Sequence, residues 1–150
     1  MNIFKEILSN HAFVAVFTAW FSAQLAKGIQ GIFKEKSIKG IRRIVANGGM
    51  PSSHASSVSA LCTSGALFYG FSSFQFATAA LLAFIVMNDA FGVRYETGKH
   101  SKVLKRLIKE GKVEMDVDLK VAVGHTPLQV VVGAALGIAI SLALKYLFYS

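Results

Sequence analysis

Long uncharged runs alternate with short basic ones along this chain. From Ile7 to Ala26 there is no Asp, Glu, Lys or Arg, with His11 near the start and Gln24 near the end as its marked polar positions. Those 20 residues, wound as a helix, span the ~30 Å of a hydrocarbon core, which predicts a first membrane span. A second uncharged run extends from Ile44 to Asn88, 45 residues, too long for one crossing. Gly and Ser cluster at Tyr69-Gly70-Phe71-Ser72-Ser73 and break it. A second span therefore runs from about Ser53 to Tyr69 and a third from about Phe74 to Phe91. The fourth runs from about Pro127 to Leu144. The pattern predicts an all-α integral membrane bundle of about four transmembrane helices, forming one domain over residues 1–150, with one or two amphipathic helices at the membrane surface.

The basic stretches set the orientation. Lys27, Lys34, Lys36, Lys39, Arg42 and Arg43 follow the first span. Ile38, Ile41, Ile44 and Val45 recur there at roughly helical spacing, so this segment reads equally as a surface helix or a solvated basic loop. In the polar stretch from 99 to 120, Val103, Leu104, Leu107 and Ile108 share one face opposite Lys102, Lys105, Arg106 and Lys109, the pattern of a basic interfacial helix. Glu114, Asp116 and Asp118 read as a solvated acidic turn. With four spans, both basic loops, 27–43 and 94–120, lie on one side. Only Lys5 and Lys145 among the Lys and Arg residues fall outside them, and the positive-inside rule places that side in the cytoplasm.

Composition agrees with a membrane protein. Hydrophobic residues make up 53% and charged residues 16%, against roughly 25% charged in soluble domains, and the mean hydropathy is +0.51. The net charge of +8 sits between apolar runs, which favours anionic headgroups or a phosphorylated substrate over nucleic acid as partner. A homo-oligomer is left open. Cys62 is alone, which excludes an intramolecular disulfide. Lys5 and Glu6 precede a run too long for a signal-peptide core, so the first span reads as retained.

Two of the predicted spans open in the same way. Gly48-Gly49-Met50-Pro51-Ser52-Ser53-His54 leads into the second, and Gly124-His125-Thr126-Pro127 into the fourth. Each sets a His beside a Pro at a helix N-terminus, where unpaired N–H groups and the positive dipole end favour an anion. Asp89 ends the third span and Arg94 follows it. A carboxylate at that depth is a functional candidate unless it merely meets water. His54, Asp89, Arg94 and His125 all fall at span ends on the cytoplasmic side. The competing reading of each His is an interfacial helix cap. Span two is rich in small residues, and Gly133, Gly137 and Ser141 follow one another at four-residue spacing in span four, both predicting close helix approach.

Taken together, Pro51-Ser52-Ser53-His54, Asp89-Ala90-Phe91-Gly92-Val93-Arg94 and Gly124-His125-Thr126-Pro127 resemble the type 2 phosphatidic acid phosphatase superfamily, which includes vanadium haloperoxidases. More closely they resemble its small divergent, haloperoxidase-related branch, from about Phe13 to Ile140. The resemblance implies an α-helical membrane phosphatase that works without metal or other cofactor. By match, His125 is the nucleophile that becomes a phosphohistidine, and His54 protonates the leaving alcohol. Ser52, Ser53 and the Gly48–Gly49 turn bind phosphate oxygens. The superfamily's Arg-Pro of the first motif has no counterpart, its Arg before the nucleophile falls at Leu119, and its acidic residue after the nucleophile is Gln129. Arg94, Lys99 or Arg43 must then supply the cation. Thr126-Pro127-Leu128-Gln129 also fits a helix capping box, so Gln129 either caps the helix or fixes the His125 tautomer. Asp89 is assigned the missing negative charge, toward His125 or through Arg94. The expectation is a lipid phosphate phosphatase of the plasma membrane that cleaves a phosphomonoester or diphosphate and faces the cytoplasm. Its rivals are a catalytically weak or inactive lipid-phosphate-binding membrane protein and a small transporter or scramblase subunit.

Overall fold

Small residues face inward and large apolar residues face outward, the reverse of a water-soluble core. The computed structural model describes residues 2–45, 49–112 and 124–149, apart from the side chains of Arg43 and Val45. Its buried apolar positions are mainly alanines, including Ala15, Ala19, Ala23, Ala55, Ala60, Ala79, Ala83 and Ala90. Phe17, Phe21, Phe84, Ile85 and Tyr146 are exposed. Lipid is as apolar as these side chains, so helix association rests on close packing of small residues.

The described elements are all helical: α1 (Ile3–Ser9), α2 (His11–Glu35), a 3₁₀ helix (Ile38–Val45), α3 (Ser53–Tyr69), α4 (Phe74–Phe91), α5 (Val93–Lys109) and α6 (Pro127–Phe148). Their starts follow from side-chain caps. Asn10, Ser52, Ser73 and Thr126 each accept a backbone N–H three residues on, from Phe13, Ala55, Phe76 and Gln129, satisfying donors that a helix start leaves free. Gly70, at φ +83°, lets the chain leave α3 in a conformation that other residues resist.

The chain is thus an all-helical membrane protein with about four long helices, and spans two and three match α3 and α4. Three stretches are long and apolar enough to cross a membrane: α2, the run Phe74–Lys109 through α4 and α5, and α6. α3 is not among them: at 17 residues it is shorter than the other three stretches, and Ser53, Ser56, Ser59 and Ser64 make it more polar. These serines are buried in protein, since α3 packs against α2, α4 and α6 together. Ser56 donates to the Ala19 carbonyl at 3.1 Å, and the Ser64 and Ser141 hydroxyls pair at 2.8 Å. A central helix shielded by three neighbours need not be apolar all round.

Several boundaries differ from the sequence expectation. The first span does not open at Ile7: Asn10 separates α1 from α2, which begins at His11. α2 does not stop at Ala26 but continues to Glu35. Its buried stripe Ala15, Ala19, Ala23, Lys27, Gly31 repeats every four residues, so Lys27 lies on the packed face and does not end the helix. The basic stretch after it becomes the 3₁₀ helix, which folds back on α2 where Gly28 meets the Ile44 side chain and Gly40 meets the Gly31 carbonyl. The interfacial helix begins earlier than expected, at Val93, and ends at Lys109. The acidic residues Glu114, Asp116 and Asp118, and Leu119, lie outside the described residues.

α3 and α6 make the closest contact. A Cβ at Gly133 would collide with the Ser52 carbonyl, and one at Gly137 with the Ser56 carbonyl. Gly137→Leu is therefore expected to destabilise the bundle by about 1–3 kcal/mol, on the scale of overpacking. Ser141→Ala should cost nearer ~0.6 kcal/mol, typical of one interhelical hydrogen bond in a membrane. Unfolding of both variants by denaturant in detergent micelles checks this; equal midpoints would refute the close-packing account.

Candidate active site

The two His-containing turns meet at one end of the bundle. The Ser52 N–H donates to the Gln129 carbonyl at 3.0 Å, and the His125 N–H to the Ala90 carbonyl at 3.0 Å. These backbone bonds tie the starts of α3 and α6 to the end of α4. They bring the His54 and His125 rings to 6.1 Å between centroids. His125 is buried, 3% exposed, while His54 is exposed.

Gln129 performs both of the roles that its position suggests. Its Oε1 accepts the Thr126 N–H at 3.1 Å and lies 3.4 Å from His125 Nδ1, and its own N–H reaches the Thr126 hydroxyl. An amide oxygen only accepts, so this contact favours the neutral His125 tautomer with its proton on Nδ1 and its lone pair on Nε2. Burial pushes the His125 imidazole below its usual range. The bond to Gln129 acts the other way, the charges of Lys27 and His54 lower it further, and a hydrogen bond with the Gly49 backbone favours the charged ring.

Lys27 is the residue that sequence reasoning missed. It is 4% exposed, and its Nζ donates to the Ser53 hydroxyl at 3.2 Å. Its charge acts on both imidazoles, and its aliphatic stem lies 4.0 Å from where a Cβ on Gly49 would stand. Gly49 itself has φ +86°, which only glycine adopts readily. The signal was present in the sequence: the alanine stripe of α2 reaches Lys27 at its own four-residue step.

The other candidates are arranged less closely. Arg94 Nε donates to Asp89 Oδ2, and both side chains are partly exposed, at 58% and 41%. The charges of Arg94 and Asp89 both act on His54. Ser52 is fully buried and is engaged in capping α3 through the Ala55 N–H at 3.3 Å. Lys99 is exposed, paired with Glu96 at 2.7 Å and lying over the Tyr95 ring; this engages it on its own helix. The side chain of Arg43, and Gly48, lie outside the described residues. Among the described residues no three His, Cys, Asp or Glu side chains group as a metal site.

Comparison with known proteins places the chain in a family. Residues 8–140 match the model of a family described as Divergent PAP2 family. A Bacillus subtilis (strain 168) protein named uncharacterized membrane protein YuiD is 35% identical over 158 aligned positions, which cover 95% of this chain and 99% of that protein. No solved structure matches.

The buried His125 makes a pH prediction. Its folded-state pKa is lowered, so between that value and the ordinary ~6.5 the unfolded chain binds more protons than the folded one. Stability from this group is complete above pH ~6.5 and declines as pH falls. Wild-type protein should lose stability on going from pH 7.5 to 5.5 more steeply than His125→Gln, as read by denaturant midpoints. Parallel slopes for the two proteins would contradict the assigned burial.

Proposed function

The chain belongs to the Divergent PAP2 family, and we propose that it is a lipid phosphate phosphatase working through a phosphohistidine. One observation carries this reading: a buried and an exposed imidazole stand 6.1 Å apart beside a buried lysine, at the end of membrane helices. An attacking atom sits about 3–3.5 Å from its target, and a general acid about 2.6–3.2 Å from the oxygen it protonates. Two rings at this separation fit one phosphoryl group between them.

In the proposed cycle His125 Nε2 attacks phosphorus and forms an N–P bond. The P–O bond to the lipid breaks as protonated His54 gives its proton to the leaving alkoxide. Water then attacks the phosphohistidine, His54 takes a proton from it, and the P–N bond breaks to release inorganic phosphate. Burial keeps the nucleophile unprotonated before attack, and Gln129 keeps the lone pair on Nε2. Lys27, the Ser53 hydroxyl and the amides of the Gly49 turn face the equatorial oxygens, where preorganised donors lower the barrier most. Asp89 orients Arg94 toward the leaving-group side near His54. No protein carboxylate is assigned to His125, so its positive charge during attack is balanced by the phosphate itself.

The reaction centre lies at headgroup depth on the side of the basic 3₁₀ helix and α5. By the positive-inside rule this is the cytoplasmic face, in the plasma membrane. A second reading, a lipid-phosphate-binding protein with little or no turnover, is favoured by one observation: the oxygen facing His125 is a neutral amide that also serves Thr126.

Phosphate release by purified protein from a panel of lipid phosphates tests the proposal. His125→Ala should abolish turnover and any acid-labile phosphoenzyme. His54→Ala should slow alkyl esters by ~10²–10⁴-fold and aryl esters far less. Asp89→Asn should lower turnover at least ~10-fold, as expected for a lost charge-assisted hydrogen bond. Tight binding of phosphate or vanadate by wild type with no phosphate release would select the binding-protein reading instead.

For sidedness, single cysteines placed at positions 101 and 112 in a Cys62→Ser background should resist an impermeant thiol reagent added to intact cells. Labelling from outside would place the site on the other face.

A further inference from the structure

Below the lysine pocket the seam between α2 and α3 opens into an apolar groove of about 340 Å³, lined by Val16, Phe17, Trp20 and Ser57. Helical register joins the two. Trp20 precedes Lys27 by seven residues, nearly two full turns, so both lie along one side of α2. On α3, Ser57 is one turn beyond Ser53, and its hydroxyl donates to the Ser53 carbonyl at 2.9 Å. The Lys27–Ser53 and Ser56–Ala19 hydrogen bonds fix the antiparallel alignment of the helices. From Lys27 to Val16 the helix descends ~16 Å at 1.5 Å per residue, about half of the ~30 Å hydrocarbon core. The groove thus occupies one leaflet, directly under the phosphate pocket.

Gln24 stands between groove and pocket, four residues after Trp20 and three before Lys27. Its Oε1 is buried, and among the described residues it is the single buried side-chain polar atom without a hydrogen-bond partner. Buried acceptors are almost always paired, so an unpaired one on the turn of α2 between the groove and Lys27 points to a donor supplied by a ligand. A second apolar groove, of about 470 Å³, lies between α4 and α6 and is lined by Phe84, Met87, Phe91, Val130 and Ile138 among others. The packed cluster of Ala55, Ala90, Val130 and Met87 stands at its inner wall; its lining includes the exposed Asn88 amide but, among the described residues, no buried polar atom without a partner.

We infer that the α2–α3 seam receives the hydrocarbon tail of the phosphorylated lipid, and that Gln24 accepts a hydrogen bond from a hydroxyl or amide N–H close to its phosphate. This rests on the phosphatase reading for the identity of the headgroup. The substrate class is then a lipid phosphate with a donor next to the phosphoester, drawn from the leaflet on the side of the site. A plain alkyl or prenyl phosphate lacks that donor and leaves Gln24 unpaired.

Photolabelling of the full-length protein in vesicles tests this without requiring turnover. Two phosphorylated lipids of equal length carry a diazirine in the tail, one with a hydroxyl beside the phosphate and one without. Label is expected on peptides containing Val16, Phe17, Trp20 and Ser57. Label on the α4–α6 groove, or evenly over all lipid-facing helices, would overturn the tail site. The hydroxylated lipid should compete for labelling about 10-fold better than the plain one, and Gln24→Leu should bring that ratio close to one. A ratio unmoved by Gln24→Leu, or already near one in wild type, would remove Gln24 from recognition. Seam labelling without phosphate release keeps the tail site and removes the hydrolase; phosphate release with label elsewhere does the reverse.

Discussion

The close approach of α3 and α6 is the constraint on which the rest depends. Gly133 and Gly137 leave no side chain between α6 and the Ser52 and Ser56 carbonyls, so two helix backbones come into direct contact. That contact lets the Ser52 N–H reach the Gln129 carbonyl, joining the first residues of one helix to the first turn of the other. Both imidazoles project from these two turns. A wider helix pair would separate the rings by more than one phosphoryl group. The same contact hides the serines of α3 from lipid, which is why a helix too polar to cross a bilayer alone can sit in the middle of this bundle.

A second constraint is the buried ammonium of Lys27. Its only polar contact within the protein among the described interactions is the Ser53 hydroxyl, a neutral partner, and removing a charge from water is costly unless an opposite charge is supplied. Of the carboxylates at the same end of the bundle, Asp89 is engaged with Arg94 and Glu96 with Lys99. Lys27 therefore favours an anion in the space it shares with the imidazoles. On the proposed function, Lys27 would replace in charge, though not in geometry, the superfamily arginine absent at Leu119: an ammonium binds phosphate as a point charge where a guanidinium binds it through two parallel bonds.

Much of this was legible in the sequence because the bilayer imposes simple rules. Uncharged runs of the right length marked α4 and α6, and the Gly-Ser break after Tyr69 separated α3 from α4. The Thr126–Gln129 capping box was readable from spacing alone. Lys27 is not legible as a site residue when a charge marks the end of a span; its place on the buried face shows only when the four-residue step from Ala15 is followed past Ala26. Nor could the pairing of Asp89 with Arg94 be chosen over a contact with His125, since five residues across the Gly92 break do not fix a direction. α3 reads as a span because its run is uncharged, but the burial of its serines by three neighbouring helices is a tertiary property that no hydropathy count contains.

Gln129 brings these strands together. A carboxylate in its place would accept the His125 Nδ1–H more strongly, but it would also draw the imidazole toward its charged form, which cannot attack. Lys27 and burial push the other way. With a neutral amide the ring stays neutral and correctly oriented, while the same oxygen closes the cap of α6. On the proposed mechanism the arrangement gives up charge stabilisation during attack and gains a larger fraction of competent nucleophile at rest. A second anion near Lys27 would compete with phosphate for that buried cation. A neutral acceptor beside the nucleophile leaves that cation to the substrate, so the loss of the carboxylate and the burial of the lysine are two halves of one electrostatic solution.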